Sequence, residues 1–397
     1  MATRLRQFSG TTIFSEMTAL AQATGAINLG QGFPDSDGPP GLLAAAREAI
    51  ASGHNQYPPA TGIPELRAQI AARRSADHGV AYDPATEIVV TTGATEALTA
   101  AMIGLCDPDD EVIVFDPLYD SYAAAIAMAG ARLRPVPLAH DGDRFAFDLA
   151  ALRGAVGPRT RLLLLNSPHN PTGKVFDPAE LAQIADLCVT HDLVAVTDEV
   201  YEYLVYDGVR HVPLASLPGM RDRTVTISSA GKTFSVTGWK IGWACGPAHL
   251  VDVVRTVKQY VTFATGTPFQ HAVARALRDD MDWVARQRDS LQHRRDLLVD
   301  ALRAAGITTY DSQGTYFVQF DARSLGHDDG LALCRELVEQ AGVVAIPGVA
   351  LYHDKEAGRH LVRLAFCKSE ETLTAASERL TAYARAVRGG QRVDEQV

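Results

Sequence analysis

Among 397 residues there is no C-x-x-C pair, no apolar signal-peptide core and no surplus of positive charge. The five cysteines, Cys106, Cys188, Cys245, Cys334 and Cys367, are scattered and odd in number. That excludes a disulfide framework or a zinc ribbon and favours a reducing compartment; no metal site is expected. Asp and Glu number 47 against 37 Lys and Arg, a formal net charge of −10. Nucleic acid and anionic membranes both need a basic face, so neither is an expected partner. A locally basic pocket for a small anion remains compatible with that balance. No apolar stretch approaches the roughly 18 residues of a membrane span. The opening MATRLRQFSGTTIFSEM carries two arginines but no apolar core, so no secretory signal is expected. The expectation is a soluble cytoplasmic protein. What is present is ordinary globular composition, 47% hydrophobic and 21% charged, long enough for two or three domains.

From residue 60 the pattern alternates between helix and strand. Pro64 sits where a helix would start, ahead of Leu66 and Ile70. Short apolar runs come next, at 87–92, 111–115, 161–166, 193–198, 224–228 and 241–245, separated by helical stretches. Runs rich in Val, Ile and Leu with little alternation suit strands buried on both faces, and βαβ alternation means a mostly parallel sheet. After about residue 280 a long charged helix ends at Gly306, and short strands are expected at 315–320, 342–346 and 361–366 before a closing helix. The fold class expected is α/β, a large domain with a mostly parallel sheet plus a smaller α+β domain. The boundaries expected are an N-terminal arm over 1–40 belonging to the small domain, the large domain over 41–280 and the small one over 281–397. The arm shows no long periodic segment, and the tail RGGQRVDEQV reads as frayed.

The chemistry lies in the residues just past the end of each strand. In open parallel sheets ligands bind outside the carboxyl ends of the strands. Gly93-Ala94-Thr95 follows the first run and opens a helix, so it is either a phosphate seat or a plain helix start. Tyr119 follows the second, as a hydrophobic plug or a stacking platform. Asn170, in HNPTG, follows the third, where it is also a good turn residue. Asp198 ends the fourth; a carboxylate in so apolar a run is costly unless it caps a helix or faces a cation. Ser229 and Lys232 follow the fifth, and Lys232 is either a solvated charge or a nucleophile for a carbonyl. Gly231-Lys232-Thr233 mimics the end of a P-loop, but the glycine that motif needs is Thr226 here.

At SSAGKTFSVTGWKIGW (228–243) the sequence resembles the class I/II aminotransferases of fold type I, with Ser229, Lys232, Gly238, Lys240 and Gly242 in the family's pattern. NLGQGFPD (28–35), NQYPPATGIPELR (55–67), TTGATEAL (91–98), NSPHNPTGKVF (166–176), TDEVYEYL (197–204) and LVRLAFCK (361–368) agree in order, so the resemblance spans nearly the whole chain. It implies pyridoxal 5'-phosphate as cofactor and ping-pong transfer of an amino group between an amino acid and a 2-oxo acid. Lys232 would form the Schiff base and then move the proton, and Asp198 would pair with the pyridinium nitrogen. Tyr201 and Asn170 would bond the ring oxygen. Tyr119 would stack on the ring. Gly93, Ala94, Thr95, Ser229 and Lys240 would hold the phosphate. Arg363 would clamp the substrate carboxylate, with Gly32 and Asn170 beside it. Tyr57 would reach the phosphate of a neighbouring subunit, which makes a homodimer with shared sites the expected state. Lys240 stands where many members carry Arg; it keeps the charge and loses the fork.

In detail the stretches resemble the branch acting on N-succinyl-LL-2,6-diaminopimelate with glutamate, in lysine biosynthesis. The alternative is the kynurenine, glutamine or methionine branch with cysteine-conjugate β-lyase activity. A more distant alternative is a non-catalytic or regulatory protein of the same fold, which would typically lack Lys232 or Asp198. Tyr316, Phe263 and Phe14 are candidate side-chain pocket residues, or core. Lys258 and Arg255 read as solvated charges on a helix face.

Overall fold

The computed structural model describes residues 2–10 and 12–389, so the tail from residue 390 lies outside the described residues. Its strands in chain order are β1 (Ile27–Asn28), β2 (Ile88–Thr92), β3 (Glu111–Asp116), β4 (Arg132–Asp141), β5 (Arg144–Phe147), β6 (Thr160–Asn166), β7 (Val194–Asp198), β8 (Thr224–Ser229), β9 (Ile241–Cys245), β10 (Phe317–Asp321), β11 (Val343–Val344), β12 (Ile346–Pro347) and β13 (Leu361–Ala365).

Eight of them make one sheet in the order β2-β9-β8-β7-β6-β3-β4-β5. The pairs β8–β7, β7–β6, β6–β3 and β3–β4 are parallel, whereas β9 runs against both its neighbours and β5 runs against β4. The chain is α/β with a mostly parallel central sheet. The reason the strand sequences lack alternation is visible in the core. Val112, Val114, Leu162, Leu164 and Val196 point into one hydrophobic layer, and Ile113, Phe115, Leu163, Leu165 and Ala195 into another. Helices cover both faces, so neither set of side chains meets water.

A second, antiparallel sheet has the order β10-β13-β12, and β1 pairs in parallel with β11. The N-terminal arm is thus stitched to the C-terminal part of the chain, with the Leu29 carbonyl also accepting from Ala365 N at 2.7 Å.

Three expectations need correction. The first 40 residues do contain a periodic segment, the helix Ile13–Thr24. Its signal was present: Ile13, Phe14, Met17, Leu20 and Ala21 recur every three or four residues, Thr12 caps the start and Gly25 (φ 68°) stops it. The β4–β5 hairpin was not anticipated either, because RLRPVPLAHD mixes charge with two prolines. Both prolines lie where β4 has no outer neighbour, since β5 pairs only from Leu138 onward, and a missing N–H costs nothing there. The run 342–346 is not one strand but β11 and β12, which join different sheets.

Candidate active site

The strand directions concentrate chemistry at one mouth. The carboxyl ends of β2, β3, β6, β7 and β8 open there, and β9, running the other way, begins there with Lys240 just ahead of it. A cavity of about 390 Å³ at this mouth is lined by Gly93, Ala94, Thr95, Tyr119, Asn170, Asp198, Tyr201, Ser229, Lys232, Lys240, Gly32 and Arg363. The structure therefore brings together every residue given a cofactor or substrate role from the sequence except Tyr57. That side chain is 85% exposed and stands edge-on to Phe263, ring centroids 5.4 Å apart.

One end of the cavity suits an anion. The helix Gly93–Leu105 starts there, and Glu96 folds back to accept from Thr92 N at 2.5 Å, leaving the N–H groups of Ala94 and Thr95 pointing outward from the first turn. Lys240, in the left-handed region at φ 54°, brings its Nζ over the same turn. A Cβ on Gly93 would meet that Nζ at 3.1 Å, and one on Gly242 would fall 2.4 Å from the Gly93 carbonyl carbon. Gly242 is therefore required for strand β9 and the helix start to approach, and Gly93 is favoured by its left-handed backbone at φ 72°.

The middle holds a buried carboxylate without a cation bonded to it. Asp198 accepts from the Tyr122 hydroxyl at 2.7 Å and from Val200 N at 3.3 Å, and the described residues give it no salt bridge. Burial pushes its pKa up to about 6, against the pull of these two donors and of Lys232. Asn166, whose amide bonds the Asp198 carbonyl at 2.8 Å and receives Asn170 N at 2.7 Å, locks the ends of β6 and β7 together. Burial also lowers the Lys232 amine to about 8 and raises the Tyr119 phenol to about 12.

At the other end Arg363, projecting from β13, is buried. It donates to Asn170 Oδ1 at 3.0 Å and to the Gly30 carbonyl at 3.1 Å, while its Nε has no partner. Burial lowers its pKa to about 10, with Tyr201 and Tyr316 acting the other way. The guanidinium Cζ sits over the Phe317 ring, 4.0 Å from its centroid, and 5.6 Å from that of Phe14. Gly32 is held close: a Cβ there would sit 2.4 Å from Phe317 Cζ.

These features fit pyridoxal phosphate as a donor set. There is a seat of free N–H groups with a lysine, a buried carboxylate suited to a cationic ring nitrogen, and an amine within the same cavity. The orphaned Arg363 Nε suits a carboxylate.

Sequence reasoning missed Tyr122, Asn166, Gln31, Thr12 and Phe317 in the cavity wall. Tyr122 was findable, since it lies one helical turn beyond Tyr119. Of the three aromatics considered for the pocket, Phe14 lines the cavity, Tyr316 touches Lys232 and Phe263 lies outside beside Tyr57. Arg255 is a surface charge paired with Asp252. Lys258 is not: it is 1% exposed, and its Nζ donates to the Ala60 carbonyl at 3.0 Å and the Phe263 carbonyl at 2.5 Å. Two loop carbonyls without donors of their own explain why a lysine is buried there.

The family pattern described as aminotransferase class I and II matches residues 24–380. A probable N-succinyldiaminopimelate aminotransferase of Mycobacterium tuberculosis is 54% identical over 390 residues, covering 96% of this chain and 98% of that one. A solved structure of the N-succinyldiaminopimelate aminotransferase from that organism superposes with a TM-score of 0.94 at 54% identity, covering 96% and 100% of the two chains. The methionine aminotransferase of Escherichia coli is 40% identical, with 94% and 95% covered. The kynurenine–oxoglutarate transaminase 3 of Mus musculus is 38% identical, with 94% and 88% covered.

Proposed function

Since the chain belongs to the class I and II aminotransferases, we propose that it transfers an amino group between glutamate and the succinylated amino-oxo-pimelate that corresponds to N-succinyl-LL-2,6-diaminopimelate. It is a pyridoxal-phosphate-dependent transaminase acting on amino acids and 2-oxo acids. The observation that carries the residue assignments is the convergence of the Lys232 amine, the Asp198 carboxylate and the Arg363 guanidinium in one cavity. The substrate assignment rests on 54% identity across nearly the whole of both chains.

In this reading the backbone N–H groups of Ala94 and Thr95, with Ser229 and Lys240, hold the cofactor's phosphate, and Gly93 lets Lys240 come close. Asp198 would keep a proton on the ring nitrogen, and Tyr122 and Val200 keep Asp198 in place. Tyr201 and Asn170 would bond the ring oxygen, and Tyr119 would stack on the ring. Pyridoxal phosphate, when bound, supplies a conjugated ring that withdraws electrons from the substrate Cα. Arg363 would bind the α-carboxylate through its fork, beside Gly32. That would orient the Cα–H toward Lys232, whose amine would take and hold the proton. With a pKa near 8, that amine passes between its two protonation states close to neutral pH. The working unit is a homodimer in the cytoplasm, Tyr57 of one subunit serving the phosphate seat of its partner.

A second reading has its own observation. The cations lining the cavity are Lys232, Lys240 and Arg363, all engaged above, whereas Phe14, Phe317 and Tyr119 give the wall an aromatic face. Such a wall suits methionine or kynurenine as amino donors. The test is kcat/KM for the succinylated acceptor, with glutamate as donor, against glutamate, methionine and kynurenine each offered with a common oxo acid. A preference of about a hundredfold for the succinylated acceptor is expected. Rejection of both glutamate and that acceptor, with methionine or kynurenine turned over, would transfer the assignment to the second reading.

A further inference from the structure

Tyr316 lies just ahead of β10, in the part of the chain remote in sequence from the lysine it touches. Its hydroxyl is 2.7 Å from Lys232 Nζ and also bonds the Gly32 carbonyl at 2.5 Å. A phenol has one proton. Gly32 offers only an acceptor, so that proton is committed to the carbonyl and the phenol can only accept from Lys232. The hydroxyl is held where it is. The Tyr316 carbonyl takes Phe366 N at 2.9 Å, and the ring packs edge-on against Tyr201, centroids 5.3 Å apart at 86°, and against Phe317. Gly32 is fixed by the close approach of Phe317 described above. The direct contact of Lys232 Nζ with the Gly32 carbonyl is long, 3.4 Å, so Tyr316 is the nearer anchor.

We propose that Tyr316 is a further catalytic residue of this site, whose hydroxyl receives and aims the amine of Lys232 whenever that amine is not covalently engaged. The proposal rests on Lys232 being the reactive amine. Because the phenol accepts and does not donate, it steadies the amine without occupying its lone pair, which stays free to take a proton from the substrate. It also favours the charged form of an amine that burial otherwise pushes toward neutrality.

The experiment uses the full chain loaded with pyridoxamine phosphate, in which Lys232 is a free amine. Acetylation of Lys232 by acetic anhydride is followed from pH 6 to 10 by peptide mass mapping, in wild type, Tyr316→Phe and Tyr316→Gln. Phe keeps the ring contacts and removes only the acceptor, so the labelling midpoint should fall by about one pH unit. The kcat with glutamate should fall about tenfold while KM stays within twofold. Gln restores an acceptor oxygen and should recover part of the midpoint shift, which also covers the case of a Phe variant that does not fold. A midpoint and a kcat in Tyr316→Phe equal to those of wild type would overturn the proposal. Failure of the wider reading would look different: borohydride reduction of the pyridoxal-phosphate-loaded wild type would fix the cofactor on a residue other than Lys232.

Discussion

Asp198 is where sequence, burial and chemistry meet in a single side chain. Its folded-state pKa is raised to about 6 from the ordinary 3.8. A carboxyl shifted upward stabilises the fold fully only below its unfolded value, and that contribution is lost as pH rises through about 6. In the cofactor-free protein above pH 7 the ionised Asp198 is therefore a liability, and a cationic ring nitrogen would relieve it. Asp198→Asn should stabilise the cofactor-free protein at pH 8 by about 1–3 kcal/mol, with the gap closing toward pH 4, and should weaken cofactor binding. Thermal unfolding at the two pH values measures this; equal melting at pH 8 would mean the carboxylate is not under strain. The sequence carried this residue because an acid ending an apolar run is conspicuous. Tyr122 could be placed near the mouth by its spacing from Tyr119, but not its hydrogen bond to Asp198 across 76 residues; that contact is set by how the helix packs on the sheet.

At the scale of elements, the turn that bears Asp198 and Tyr201 is fastened from behind. Arg74, on the helix Pro64–His78, donates to Glu199 at 2.9 Å and Glu202 at 2.6 Å, all three side chains almost fully buried. His211 and Thr197 also bond Glu199, and His78 and Ser228 also bond Glu202. Burial alone would raise the Glu199 carboxyl; Arg74 and His211 hold it well below the usual carboxylate range. Its neighbour Arg73 pairs with Asp77 nearer the surface. Arg74→Ala should destabilise the protein by about 3–5 kcal/mol, because it strands two buried carboxylates, whereas Arg73→Ala should cost about 0–1 kcal/mol. Denaturant unfolding of the two variants compares them, and equal losses would refute the network's role. None of this was legible: Arg74 looks like its neighbour in sequence, and only the pairing of a helix face with a loop distinguishes them. The same holds for Lys258, read as a surface charge because a helix with alternating apolar and charged residues does not reveal which loops will close over it. The sheet was largely legible, since strands buried on both faces leave continuous apolar runs. The β4–β5 hairpin at its edge was not, since edge strands tolerate proline and charge.

For the molecule as a whole, the exposed side chains Tyr57, Tyr260, Val261 and Phe263 are an unusual group for a chain so acidic and otherwise well buried. Lys258 holds the two loops that carry Tyr57 and Phe263. The homodimer proposed above would cover them. Tyr260→Asp should shift sedimentation toward monomer and lower kcat/KM at least about tenfold; a monomer with full activity would refute shared sites. Among the described residues no helix is long and apolar enough to cross a membrane. The cavity draws Asp198 and Lys232 from the large central sheet's strand ends and Arg363 from β13 of the second sheet.

The most direct measurement of the central claim is the absorbance spectrum of the pyridoxal-phosphate-loaded protein, taken alone, after L-glutamate and then after the succinylated amino-oxo-pimelate. The account predicts a visible band that bleaches with glutamate and returns with the succinylated acceptor, both changes being lost in Lys232→Ala. A loaded protein with no visible band, or one whose band ignores both compounds, would contradict it.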